Sequence, residues 1–354
     1  VFAVRARGMR IYGIQQGYQG LYDANWDELT LERVAGIQNL GGTILRTARF
    51  EPFNNPETRA DAIQTCLDNC AQNRVGRKRV PIQGLIVVGG DGSFRGARDL
   101  SAAGLPCVCL PATIDNDIAC TDYTIGYDTC LNTMVDLLTK ISDTARAHDR
   151  CMVVEVMGNK AGDLTLYGAM AAGATAAIVM EYDFDRPAGV EMTADELDVF
   201  HQKILAKMRT AKEEGQTYFV FLIAEGITYK RDKATKKTLY PGGITALAAW
   251  IEAQTGIMTR ADVLGYAQRG GSPSARDRIL ATQMGDYAVD LLKRNRRNRV
   301  VVIKQEKIRD MTIEDALDPV KTPKVLSQDD FALQQRMSPS FSEVTWTKSS
   351  AKLV

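Results

Sequence analysis

Short apolar runs recur along the chain, and between them apolar residues fall at helical spacing. Leu85-Ile86-Val87-Val88, Cys107-Val108-Cys109-Leu110, Cys151 to Val156, Ala176 to Met180, Tyr218 to Ile223 and Val300 to Lys304 are such runs. Their length and continuous apolarity predict strands, and Leu85 to Val88 in particular a parallel strand buried on both faces. Met9 to Ile14 and Asp262 to Tyr266 read as further strands. Helices are predicted over Leu29 to Leu40, Arg59 to Asn73, Phe94 to about Ala103, Tyr127 to Ala147, an Ala-rich stretch ending near Gly173, Thr193 to Glu214, Ile244 to Thr255 and Arg276 to Lys293. Within Tyr127 to Ala147, Leu131, Met134, Val135, Leu138 and Ile141 mark one buried face. Val1 to Gly8 reads as the end of a helix with Gly8 at its C-terminal cap. The basic runs Arg74 to Arg79 and Lys230 to Lys237 read as solvated loops, the second as a loop or hairpin. From Pro319 onward the chain is polar and poorly patterned, which predicts an extended or disordered tail. Alternating strands and helices without an internal repeat make this an α/β protein.

Two polar loops stand out against that pattern. Gly89-Gly90-Asp91-Gly92-Ser93 leaves the first strong strand, and Pro111-Ala112-Thr113-Ile114-Asp115-Asn116-Asp117 leaves the next. Both lie at the carboxyl ends of predicted parallel strands, the edge where ligands bind in open α/β sheets.

Composition narrows the partners. The 354 residues suggest two domains, and 44 basic against 43 acidic residues leave a net charge of +1. Bulk electrostatic binding to nucleic acid or an anionic membrane is therefore not expected. No apolar run approaches a membrane span, and the N-terminus lacks a signal-peptide pattern. Seven cysteines without zinc-type spacing predict unpaired, mostly buried thiols in a reducing cytoplasm. With only His148 and His201, a His-rich metal site is excluded.

Each loop has a chemistry it could carry. In the first, glycines let backbone N–H groups approach a phosphate chain at a helix start, and Asp91 can share Mg²⁺ with those phosphates. The same loop would also serve as a tight turn with a capping Asp. In the second, Asp115 and Asp117 face one side of an extended segment beside Thr113. One carboxylate can take a proton from a hydroxyl while the other orients an arginine or metal-bound water; an Asx-turn is the plainer use. Gln268-Arg269-Gly270-Gly271 comes after a strand, and a glycine-flanked arginine there suits phosphate. Glu225, at the end of an apolar strand, could accept a sugar hydroxyl or cap the next segment.

Taken together, the motifs resemble one family, the ATP-dependent 6-phosphofructokinases of bacterial type (phosphofructokinase family A). They are Gly89 to Ser93, Pro111 to Asp117, Val153-Val154-Glu155-Val156-Met157-Gly158, Ala224-Glu225 and Gln268 to Pro273, in family order, over roughly residues 8–318. The resemblance implies two Rossmann-like three-layer αβα domains with mainly parallel sheets. Residues 1–126 with 268–317 would bind ATP, 127–267 would bind fructose 6-phosphate, and 318–354 would form a C-terminal extension. It implies phosphoryl transfer from ATP to the 1-hydroxyl of fructose 6-phosphate in glycolysis, with Asp115 as general base, Asp91 on Mg²⁺, Asp117 in the same cluster and Thr113 at the transferred group. Arg49, Phe50, Tyr18, Gly90, Gly92, Ser93 and Gly96 would contact ATP. Thr113, Ile114, Asp115, Met157, Gly158, Asn159, Glu225, Arg260, Tyr266, Gln268 and Arg269 would line the sugar phosphate. Arg150 would reach it from a neighbouring subunit of a homo-oligomer, usually a tetramer. Pyrophosphate-dependent relatives carry Asp at the position of Gly92 and Lys at that of Ala112, so Gly92 favours ATP.

The departures from the family pattern are expectations too. The family's first strand and its Gly-Gly-Asp turn lie before Val1, so the chain reads as N-terminally truncated, with poor folding or weak ATP binding as the expected result. Asn159 replaces an arginine, with Lys160 next to it, and Tyr266 replaces a histidine, which predicts a raised KM for the sugar phosphate. Cationic positions of the family's ADP or phosphoenolpyruvate site align with Phe2, Leu31, Ser142, Glu214, Gln216 and Thr217, and a metal-holding Glu aligns with Thr175. That site is expected not to respond.

Overall fold

A computed structural model describes residues 1–179, 181, 193–225, 227, 230–231, 238–239, 243–323 and 325–337. Contacts divide the chain into two units. One holds Val1–Asn132 and Arg269–Val325; the other holds Thr133–Gln268 and the described residues from Leu326 on. The division falls inside the long helix Tyr127–Ala147.

The sheet of the first unit runs in the order Lys307–Thr312, Arg299–Lys304, Cys107–Pro111, Leu85–Gly89. The last two pairings are parallel and the first is antiparallel. Side chains alternate across the strands and fill two cores. Leu85, Cys107, Cys109, Val300 and Val302 meet Phe94, Ala97 and Leu100 of the helix Asp91–Ala102 on one face. Val108, Leu110, Val301 and Ile303 meet Leu280, Met284 and Ala288 of the helix Ala275–Lys293 on the other. Helix, sheet and helix thus form three layers, which is why the strands read as continuous apolar runs.

In the second unit Thr259–Val263, Cys151–Val156, Phe219–Ala224 and Ala176–Ile178 lie in that order, all parallel. Phe219, Phe221 and Ile223 pack beneath Phe200, Ile204 and Met208 of the helix Ala194–Glu213, together with Leu247 and Ile251. Thr193 and Glu196 start that helix with a reciprocal capping box. On the opposite face Gly168 lets its helix approach Met134, whose Cε would lie 2.5 Å from an added Cβ.

Several expectations need correcting. Leu85–Gly89 is a sheet edge among the described residues, so Val88 is 58 % exposed and not buried. Leu29 to Leu40 is not one helix but Leu31–Val34 and Ile37–Asn39, broken at Gly36 (φ +75°). The strand read at Asp262 to Tyr266 is Thr259–Val263, and Gly265–Arg269 is a 3-10 turn. Arg74 to Arg79 forms a tight two-strand hairpin. The tail is not extended throughout, because Gln328–Met337 is a helix with Phe331, Gln334 and Gln335 buried. Most of Lys230 to Lys237, and the tail beyond Met337, lie outside the described residues. Among the described residues no helix is long and apolar enough to cross a membrane. All seven cysteines are buried and none is in a disulfide, and burial pushes the thiols of Cys66, Cys107, Cys120 and Cys151 up to about 12.

Candidate active site

In the first unit both special loops leave the carboxyl ends of adjacent parallel strands, with Gly89 opposite Pro111. The helix after the first loop begins at Asp91, and its cap is Gly90 without a side-chain bond. Asp91 therefore does not act as the N-cap. The carboxyl of Asp91 is held above the usual carboxylate range although the residue as a whole is open to solvent. Partial desolvation is the main cause, the Asp117 carboxylate adds to it, and Arg95 opposes. Two carboxylates repelling each other at a phosphate-type turn suit a divalent cation. No group of three or more His, Cys, Asp or Glu is arranged to hold a metal among the described residues.

The glycines of this loop divide into two kinds. A Cβ on Gly89 would meet Ser93 Oγ at 2.4 Å, and one on Gly96 would meet the Tyr18 ring at 2.7 Å and Phe53 at 3.0 Å. Those two are demanded by packing. A Cβ on Gly90 or Gly92 would meet nothing within 4 Å, and neither has a positive φ. Neither backbone strain nor packing explains these two, and they leave open space in front of the helix start.

In the second loop Thr113 Oγ accepts from the Asp115 N–H (3.2 Å) and donates to Asp115 Oδ2 (3.3 Å). Asn116, 4 % exposed with φ +51°, accepts from the Thr124 N–H (3.1 Å), and Thr124 Oγ donates to Thr113 O (2.7 Å). Asn116 and Thr124 brace the loop, and neither was among the predicted site residues. The visible signal was an Asn between Asp115 and Asp117, a residue type that tolerates the left-handed region; Thr124 gave none.

Three residues expected at ATP turn inward. Phe50 is buried, with its ring 5.0 Å from Phe53; the Tyr18 ring lies tilted against Phe53 at 4.8 Å and its hydroxyl donates to Ser93 O (2.5 Å). Gly96 lies against the Tyr18 and Phe53 rings, so these residues pack together behind the helix start. Arg49 is exposed beside them.

In the second unit Glu225 Oε1 accepts from the N–H groups of Gly158 (3.0 Å) and Asn159 (2.7 Å), and Gln268 Oε1 accepts from the Met157 N–H (2.9 Å). Gln268 is 1 % exposed, so it holds the turn and does not itself face a sugar. Asn159 sits at φ +54°, a conformation Asn adopts more readily than Arg. Tyr266 is 85 % exposed. Arg150 precedes the strand Cys151–Val156, and Arg260 pairs in register with Met152, bonding Glu252 (2.8 Å) and Thr259 O (2.7 Å). Both arginines lie near the amino end of the sheet, away from Met157 and Glu225 at its carboxyl end. At the aligned effector positions, Thr175 is buried and its Oγ accepts from Gln216 Nε2 (3.2 Å) and the Val220 N–H (2.9 Å).

The fold and loops thus define an α/β protein whose strand-end carboxylates and open glycines suit phosphoryl transfer. The phosphofructokinase family model matches residues 1–292, and the chain belongs to that family. It is 43 % identical over 311 residues to the ATP-dependent 6-phosphofructokinase of Alkaliphilus metalliredigens, covering 88 % of this chain and 85 % of that one. It is 38 % identical over 330 residues to that of Bacillus pumilus, covering 93 % and 90 %. Among solved structures, a phosphofructokinase of Saccharomyces cerevisiae superposes with a TM-score of 0.72 at 23 % identity, over 95 % of this chain and 44 % of that one. The chain thus spans less than half of the yeast protein. A pyrophosphate-dependent phosphofructokinase of Nitrosospira multiformis gives 0.70 at 16 % identity, over 96 % and 86 %. These two likenesses speak to the fold alone.

Proposed function

We propose that this chain is an ATP-dependent 6-phosphofructokinase, moving the γ-phosphoryl of ATP to the 1-hydroxyl of fructose 6-phosphate. The observation that carries this reading is the open space at Gly90 and Gly92, beside Asp91 at a helix start and next to the braced Asp115. N–H groups there attract phosphate through the helix dipole and direct bonds. Gly92 leaves room that a carboxylate would fill with charge, and this favours ATP over pyrophosphate. Asp115 takes the proton of the attacking hydroxyl, and its bonds with Thr113, one at Oδ2 and one at the Asp115 N–H, hold the side chain in place. Thr113 lies next to the transferred group. Ser93 and Arg49 supply further donors to the nucleotide.

Asp91 and Asp117 would hold Mg²⁺, which when bound neutralises charge on the phosphate oxygens. Met157, Gly158, Asn159 and Glu225 form the sugar side, and Arg150, Arg260, Tyr266 and Arg269 supply donors for its phosphate. The buried cysteines, outside any disulfide, suit a reducing cytoplasm. In a coupled assay Asp115→Asn is expected to lower kcat roughly 10²- to 10⁴-fold while sugar-phosphate binding is kept. Undiminished turnover, or a wild-type chain that uses pyrophosphate and not ATP, would overturn the reading.

A further inference from the structure

We propose that Asp277 and Arg278 are positioning residues, which hold the two loops of the first unit that the reaction depends on. This rests on the function proposed above. Both sit in the first turns of the helix Ala275–Lys293, which is capped by Ser274 Oγ accepting from the Asp277 N–H (3.2 Å). An acid at this helix position commonly reaches back to its own cap. Asp277, only 3 % exposed, instead turns both oxygens to a distant segment. Oδ1 accepts from the Gly126 N–H (2.9 Å), and Oδ2 from the Thr129 N–H (2.8 Å) and the Thr129 hydroxyl. Thr129 Oγ in turn accepts from the Ser274 N–H (3.1 Å).

Gly126 is the far end of the loop that carries Asp115. Its φ of +103° suits glycine, and a Cβ there would stand 3.9 Å from Ile114 Cγ2 and 4.0 Å from Thr113 O. The Ile125 N–H donates to Pro111 O (3.0 Å), and Thr124 Oγ donates to Thr113 O (2.7 Å). Fixing Gly126 therefore fixes the backbone on which Thr113 and Asp115 stand.

Arg278 does the same for the loop after Arg269. Its Nε donates to Pro273 O (2.8 Å), one terminal nitrogen to Ser272 Oγ (3.0 Å) and the other to Asn39 Oδ1. Ser272 Oγ donates to Asn39 O (3.4 Å), and a Cβ on Gly41 would stand 2.4 Å from Gly271 O. One helix start thus governs a loop that carries the general base and a loop that comes after a phosphate-binding arginine. Because the charges act through different loops, their loss separates in the kinetics.

The test is steady-state kinetics of the full chain with ATP and fructose 6-phosphate, with thermal melting alongside. Asp277→Asn keeps the shape but turns an acceptor into a donor facing N–H groups. It is expected to lower kcat roughly ten- to a hundredfold, with both KM values changed by no more than about twofold. Arg278→Gln is expected to raise the KM for fructose 6-phosphate roughly tenfold, leaving kcat and the KM for ATP within about twofold. An unchanged kcat in Asp277→Asn overturns the proposal. So does a loss in both variants that tracks only the folded fraction, or one that strikes kcat and KM alike in both. If Asp277→Asn does not fold, Thr129→Val decides: it removes one of the three donors, and a kcat equal to wild type overturns the proposal. A wild-type chain that does not phosphorylate fructose 6-phosphate refutes the functional reading; an active wild type with unaffected variants refutes this inference alone.

Discussion

Gly92 and Gly96 lie one helical turn apart in the helix Asp91–Ala102, and the structure asks different things of them. An added methyl at Gly92 would find open space, whereas at Gly96 it would enter the Tyr18 ring at 2.7 Å. Gly92→Ala should therefore fold at least as well as wild type, since Ala exceeds Gly in helix propensity by up to about 1 kcal/mol. Its KM for ATP should rise several-fold, because the methyl occupies the space proposed for phosphate. Gly96→Ala should lower stability by about 1–3 kcal/mol through overpacking, with ATP binding lost only as folded protein is lost. Melting temperature and KM for ATP, measured on both, check the pair; a Gly92→Ala protein with normal ATP kinetics would count against the phosphate reading. In the sequence the two glycines look alike, since motif spacing does not reveal which Cβ direction is open. Glu225 shows the same limit. Its place after an apolar strand was legible, but its bonds to the N–H groups of Gly158 and Asn159 join residues more than sixty positions apart.

Elements were legible where burial is apolar and periodic. Tyr127–Ala147 and Cys151–Val156 have the bounds that the pattern predicts. Lys307–Thr312 was missed because Lys-Ile-Arg-Asp-Met-Thr is polar, yet its pairing with Arg299–Lys304 completes an antiparallel edge. Gln328–Met337 was hidden for a related reason: its buried face is Phe331, Gln334 and Gln335, and two of these three are polar. The glutamines bond instead of avoiding water. Gln334 takes the Ala177 N–H and donates to Ala174 O (each 3.4 Å), beside the outer strand Ala176–Ile178, and Lys207 donates to Gln335. Tyr167 donates to Asp330 (2.7 Å) and ties the helix to Asp163–Ala172. Phe331→Ala should therefore cost about 3 kcal/mol, while Leu333→Ala, at a position 38 % exposed, should cost under about 1 kcal/mol. Denaturant unfolding of both variants measures this; equal small effects would mean that the helix contributes little to its unit.

At the scale of the whole molecule, the parallel sheet of the second unit bears on how many chains make one site. All its strands point the same way, so their amino ends share one edge and their carboxyl ends the other. Glu225 and Met157 come after strands at the carboxyl edge. Arg150 comes just before Cys151, and Arg260 lies opposite Met152. Along the strands this is a separation of about 16 to 23 Å from Met157, at about 3.3 Å per residue. A hexose phosphate held at the Met157 turn would thus lie at the opposite edge of the sheet from both arginine backbones of the same chain. If all of them serve one sugar phosphate, the expectation is that Arg150 and Arg260 come from another copy, in an oligomer whose sites are shared. Subunit mixing tests this directly. Asp115→Asn chains lack the base, and chains with both Arg150→Ala and Arg260→Ala lack two of the four phosphate donors, so each alone should be nearly inactive at low sugar phosphate. Unfolded together in equal amounts and refolded, random pairing should restore about a quarter of wild-type sites, because each mixed pair holds one intact combination. Activity that stays at the sum of the two separate preparations would mean that each site is built within a single chain, and the two arginines would then need a different role.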